Sequence, residues 1–65
     1  MAYWYGFRQV MPRPAGEWVA SGPYDNFDAA LAAYDRAKLA LDAQLSPPFL
    51  AGDRQEADRI ARERG

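Results

Sequence analysis

The spacing of apolar residues changes several times along this chain, and each change marks an element. Residues 3–11, Tyr-Trp-Tyr-Gly-Phe-Arg-Gln-Val-Met, are rich in aromatic and β-branched side chains and predict a strand. Pro12-Arg13-Pro14-Ala15-Gly16 is turn chemistry: two prolines remove backbone donors and the glycine permits positive φ. Residues 17–21, Glu-Trp-Val-Ala-Ser, predict a second short strand, closing a hairpin over a loop of about five residues. Side chains alternate across a strand. Tyr3, Tyr5, Phe7 and Met11 therefore share one face of the first strand, and Trp4, Arg8 and Val10 the other. The register that keeps such a sheet amphipathic sets Trp18 beside Phe7 and Tyr5, leaving Trp4, Arg8, Val10, Glu17 and Val19 outside. A slip by one residue exchanges the two sets on one strand.

Gly22-Pro23-Tyr24 breaks the pattern, and the period then becomes helical. Asp25 with Asp28 three residues later resembles a capping box, and acidic residues there suit the positive end of a helix dipole. The helix is expected from about Asn26 to Leu45, with an apolar stripe of Phe27, Leu31, Tyr34, Leu41 and Leu45 interrupted by Lys38. Ala30, Ala33, Ala37 and Ala40 favour helix and allow close approach to the sheet. Ser46-Pro47-Pro48 reads as a helix stop, after which Phe49 and Leu50 fold back into the core. Asp53 and Glu56 form a capping box for a second helix over about 53–64, expected to dock weakly and fray, with an Asp58–Arg62 pair on its surface. The elements define one small α+β domain over residues 1–65, an antiparallel hairpin packed on a long helix and followed by a short C-terminal helix, in the order β-β-α-α.

Composition narrows the function. A core in a domain of 65 residues supplies no more than about 3–5 kcal/mol unless something staples it. Cysteine and histidine are both absent, so neither a disulfide nor a Cys/His zinc site is available. Nine aromatic residues must carry much of the burial. Eight basic and nine acidic residues leave a net charge of −1, which disfavours both direct nucleic-acid binding and adhesion to an anionic membrane. No apolar run is long enough to span a bilayer, and the N-terminus lacks signal-peptide character, so a cytoplasmic location is expected. Ser21 and Ser46 have no histidine to activate them, no glycine-rich phosphate loop is present, and the carboxylates fall on solvent faces. Neither enzyme activity nor a cofactor or metal is therefore expected.

What remains is binding, with two candidate surfaces. Asp28, Asp35 and Asp42, spaced seven apart, would lie along one face of the long helix at intervals of roughly 10.5 Å, with Asp25 extending the row. Such a row either meets a basic groove or is the ordinary solvated side of an amphipathic helix. On the hairpin, Trp4 and Arg8 either form an open hot spot or Trp4 packs under the C-terminal helix with Ile60 and Phe49. Arg54, Arg59, Arg62 and Arg64 are interleaved with acids and read as a mixed-charge solvated helix. A strand edge offers a further route to a partner or a second copy.

The aromatic hairpin Tyr3–Ser21 and the acidic helix Asp25–Leu45 together give a short, cysteine-free, mildly acidic chain with no catalytic signature. In this character it resembles the small anti-CRISPR proteins of phages and mobile elements. The resemblance implies an inhibitor that acts in a bacterial host cell, binds a Cas subunit of a type I surveillance complex and blocks access to target DNA; a monomer is expected over a dimer. Several members of that group mimic DNA with acidic surfaces. In this nearly neutral chain the mimicry would be local, through Asp25, Asp28, Asp35 and Asp42, and exchanging Asp28, Asp35 and Asp42 for Asn would weaken binding. The alternative is a small nucleic-acid-binding module in which Tyr3 and Trp4 stack on bases while Arg8 and Arg13 contact phosphates.

Overall fold

A computed structural model describes residues 1–65. It is an α+β arrangement of three antiparallel strands and two helices: β1 (Ala2–Gln9), β2 (Val19–Tyr24), α1 (Phe27–Ala37), β3 (Ala43–Ala51) and α2 (Arg54–Arg64). The expected hairpin and both helices are present. The element order is β-β-α-β-α, because a third strand occupies the chain between the helices. β1 is central, with β2 and β3 antiparallel on either side.

Proline placement follows from that order. A proline cannot donate to a ladder and is tolerated on edges and at bulges. β1 contains none, whereas Pro23 lies in β2 and Pro47 and Pro48 lie in β3, both edge strands. Each falls where the register slips by a residue. Tyr3 pairs with Tyr24 and Tyr5 with Ser21, so Gly22 and Pro23 together oppose Trp4. Trp4 pairs with Phe49 and Gly6 with Ser46, so Pro47 and Pro48 together oppose Tyr5. Both irregularities are bulges, which bend an edge and increase its twist. Gly22 is required at the first: its φ is +152°, and a Cβ there would lie 2.9 Å from Cε3 of Trp4.

The two helices cover opposite faces of the sheet. On one side, Trp4, Ala20, Phe49 and Ala51 pack with Ala57 and Ala61 of α2, flanked by Ala2, Trp18 and Ile60. Ala57 and Ala61 are four residues apart and fully buried, so α2 sits close against the two large rings. The indole Nε1 of Trp4 donates to the Ala51 carbonyl at 3.2 Å, which satisfies the one polar atom of that ring. On the other side, Tyr3 meets Phe27 edge-on at 5.7 Å, and Tyr5 contacts Tyr34 of α1 at 6.1 Å and Tyr24 at 6.2 Å. Ala30 and Ala33 bring α1 down onto this layer.

The long helix expected to reach Leu45 ends at Ala37, and a turn over 38–42 leads into β3. The Leu41–Leu45 part of the stripe is not helical: Leu41 is 96% exposed and Leu45 pairs with Phe7. Pro47-Pro48 is a strand bulge instead of a helix stop. The N-cap of α1 is Asn26, whose Oδ1 accepts from Ala29 N at 2.8 Å, and Asp25 precedes it. The hairpin register is shifted by one from the amphipathic choice: Phe7 pairs with Val19 and Tyr5 with Ser21, so Trp18 and Ala20 join the Trp4 face. An amphipathic sheet was the wrong criterion, because both faces are covered. α2 starts where its capping box placed it. Asp53 Oδ1 accepts from Glu56 N, and Glu56 reaches back to Gly52 N, both at 2.8 Å. It does not dock weakly, since it closes the main core and its hydrogen bonding runs on to Gly65 N. The surface pair is Arg59–Glu63 at 3.2 Å, and Asp58 turns toward β2 instead of Arg62.

Candidate interaction surface

The two surfaces read from the sequence are not assembled in the fold. Trp4 is 3% exposed beneath α2, which leaves no stacking or hot-spot role for its ring. Tyr3 is half-buried against Phe27. Arg8 is half-buried too, and its Nε donates to the Gly16 carbonyl at 3.0 Å, tying the hairpin loop to β1. Of the four aspartates, Asp28 and Asp35 alone lie in α1. Asp25 lies ahead of the cap, and Asp35 is paired with Lys38 at 3.2 Å. Asp42 belongs to the turn after the helix, where its carbonyl accepts from Val10 N at 2.8 Å. The seven-residue row therefore ends after two members. No cluster of three or more acidic side chains is arranged to hold a metal ion.

Strand-edge pairing, the third route, is obstructed on both sides. On β2, Asp58 Oδ1 accepts from Ala20 N at 2.7 Å. Arg54 spans the Ala20 and Gly22 carbonyls with Nη1 and Nη2 at 2.9 and 3.1 Å, its guanidinium 5.3 Å from the centre of the Trp4 ring. These side chains occupy backbone groups that an added strand would need. The Arg54–Asp58 ion pair itself is 4.0 Å long and its Arg54 end is largely exposed, so it adds little beyond these hydrogen bonds. On β3, Pro47 and Pro48 lack the N–H.

The surface that does stand out lies at the end of the sheet reached by the hairpin loop and the α1–β3 turn. Val10 N bonds to the Asp42 carbonyl and so joins these two segments. The loop is held by Gly16 N to the Gln9 carbonyl at 2.7 Å and by Gln9 Nε2 to the Met11 carbonyl at 3.0 Å. The turn is held by Leu39 N to Arg36 and Ala40 N to Ala37. On this hydrogen-bonded platform Met11 is 58%, Leu39 81% and Leu41 96% exposed. Leu39 carries no marker in the sequence, and Leu41 falls in the apolar stripe of the expected longer helix. The one available signal was Lys38, which breaks that stripe where the helix ends. Comparison with protein families, with curated proteins and with solved structures finds no match.

Proposed function

We propose that this protein acts by binding a partner protein, without catalysing a reaction, through the uncovered end of its sheet. The observation that carries this is the exposure of Met11, Leu39 and Leu41 on segments that are hydrogen-bonded in place. Large apolar side chains exposed on neighbouring, hydrogen-bonded segments mark a surface that another molecule covers. Because the segments are hydrogen-bonded beforehand, little backbone freedom is lost on docking. The likeness in character to small anti-CRISPR inhibitors makes a Cas subunit of a type I surveillance complex the partner to try first. Inhibition would then come from occupying the effector's surface through this apolar end, since the aspartate row is broken at Asp42.

The test is the double variant Leu39→Asp/Leu41→Asp. Both residues are exposed, so folding stability stays within about 0.5 kcal/mol of wild type. Capture of partners from a bacterial lysate, and of a purified type I surveillance complex, is compared between the two proteins. Loss of a captured partner by roughly tenfold or more is expected, since central interface residues exceed about 1 kcal/mol each when truncated. Equal capture by wild type and variant rejects this end as the interface.

A further inference from the structure

Between the hairpin loop and the start of β3 lies an open groove of about 390 Å³ whose walls include Arg8, Val10, Met11, Arg13, Pro14 and Gln44. Its chemistry is one-sided. Arg8 and Arg13 line it, no carboxylate does, and the remaining wall is largely apolar. Arg8 is already fixed by its Nε bond to Gly16, which leaves its two terminal nitrogens for a ligand. We infer that this groove takes an acidic segment of the partner protein, with carboxylates on Arg8 and Arg13 and an adjacent apolar side chain against Val10, Met11 and Pro14. The inference rests on the proposed partner-binding role and specifies its chemistry. Charge complementarity selects the occupant. Guanidinium forks bind carboxylates bidentately, and no carboxylate in the groove wall opposes an anionic chain.

A nucleic acid would also bring negative charge, and the groove suits it less well. No aromatic ring lines it on which a base could stack. Two arginines on a protein of net charge −1 make a small phosphate footprint. Apolar surface from Met11 and Pro14 has a counterpart in a leucine or phenylalanine side chain and none in a sugar-phosphate backbone.

The probe is a fluorescein-labelled peptide, Asp-Glu-Leu-Phe-Asp-Glu, followed by fluorescence anisotropy at low salt. Its amide counterpart, Asn-Gln-Leu-Phe-Asn-Gln, and a labelled oligothymidylate are run beside it. The acidic peptide is expected to bind about tenfold more tightly than the amide peptide, a difference that shrinks as salt rises. Exposed Arg13→Glu, with its fold checked by circular dichroism, should reduce the acidic peptide to the level of the amide peptide. Equal affinity for the two peptides, or no binding of either, overturns the inference. Tighter binding of the oligothymidylate, in competition with the peptide, overturns it in favour of a phosphate site. Should Leu39→Asp/Leu41→Asp abolish partner capture while Arg13→Glu and salt leave it unchanged, the partner-binding role stands and the acidic-segment inference falls.

Discussion

Replacing Asp58 with Ala removes the acceptor that α2 supplies to the Ala20 amide at 2.7 Å. Ala20 is 3% exposed, so its N–H has no ready replacement in water. Hydrogen bonds to charged groups contribute roughly 1.5–3 kcal/mol, and a buried donor left unsatisfied is penalised by a similar amount. A loss of roughly 1.5–3 kcal/mol is therefore expected, against a total of about 3–5 kcal/mol for a domain of this size. At about 4–8 °C per kcal/mol, the thermal midpoint falls by roughly 6–24 °C. Urea titration followed by Trp4 and Trp18 fluorescence measures the first quantity and a circular-dichroism melt the second. Asp58→Asn retains an acceptor oxygen and should lose less than about 1 kcal/mol. Arg54→Ala frees the Ala20 and Gly22 carbonyls, where water can reach Gly22, and should cost about 1 kcal/mol. Because both side chains also cover the β2 edge, Asp58→Ala/Arg54→Ala should show an apparent mass that rises with concentration in light scattering. If Asp58→Ala lies within about 0.5 kcal/mol of wild type and the double variant stays monomeric, the account of α2 as an edge cover is wrong.

Two glycines and a serine in the sheet give further tests. Gly22→Ala places a Cβ 2.9 Å from the Trp4 ring and 3.0 Å from the Tyr3 carbonyl at a positive φ, and should destabilise by about 2 kcal/mol or more in urea titration. Ser46 Oγ is buried with no hydrogen-bond partner, so Ser46→Ala is expected to be neutral or to stabilise by up to about 1 kcal/mol. A Cβ at Gly6 would fall on that same oxygen, so Gly6→Ala should destabilise by about 1–3 kcal/mol alone and distinctly less in the Ser46→Ala background. Equal losses in the two backgrounds would show that the Gly6 contact does not limit packing.

Local rules were legible wherever one short segment held all the information. Asp53 and Glu56 announce the start of α2 because the cap and the glutamate that reaches back past it, to Gly52 N, lie within four residues of each other. The aromatic run at the N-terminus announces β1, and the proline-rich stretch after it announces the hairpin loop. The acidic row failed for a physical reason. Alanine-rich sequence over 37–45 has a helical preference worth only tenths of a kcal/mol per residue, and pairing of β3 with β1 from Ala2↔Ala51 to Gln9↔Ala43 outweighs it. That pairing joins residues more than thirty positions apart, and no local pattern contains it. Once β3 exists, Asp42 leaves the helix, and Leu39 and Leu41 become the exposed end of the molecule. The hairpin register depended on long-range structure in the same way. Alternation defined two faces on each strand, but which faces meet depended on α2 covering Trp4 from one side and α1 covering Tyr5 from the other. By itself the sequence determined the α+β class, the cap of α2 and the lack of Cys/His site chemistry. Tertiary structure decided that Trp4 is core, that Arg54 and Asp58 close an edge, and that the groove at Arg8 and Arg13 stays open, because each of these depends on a helix or strand brought in from far along the chain.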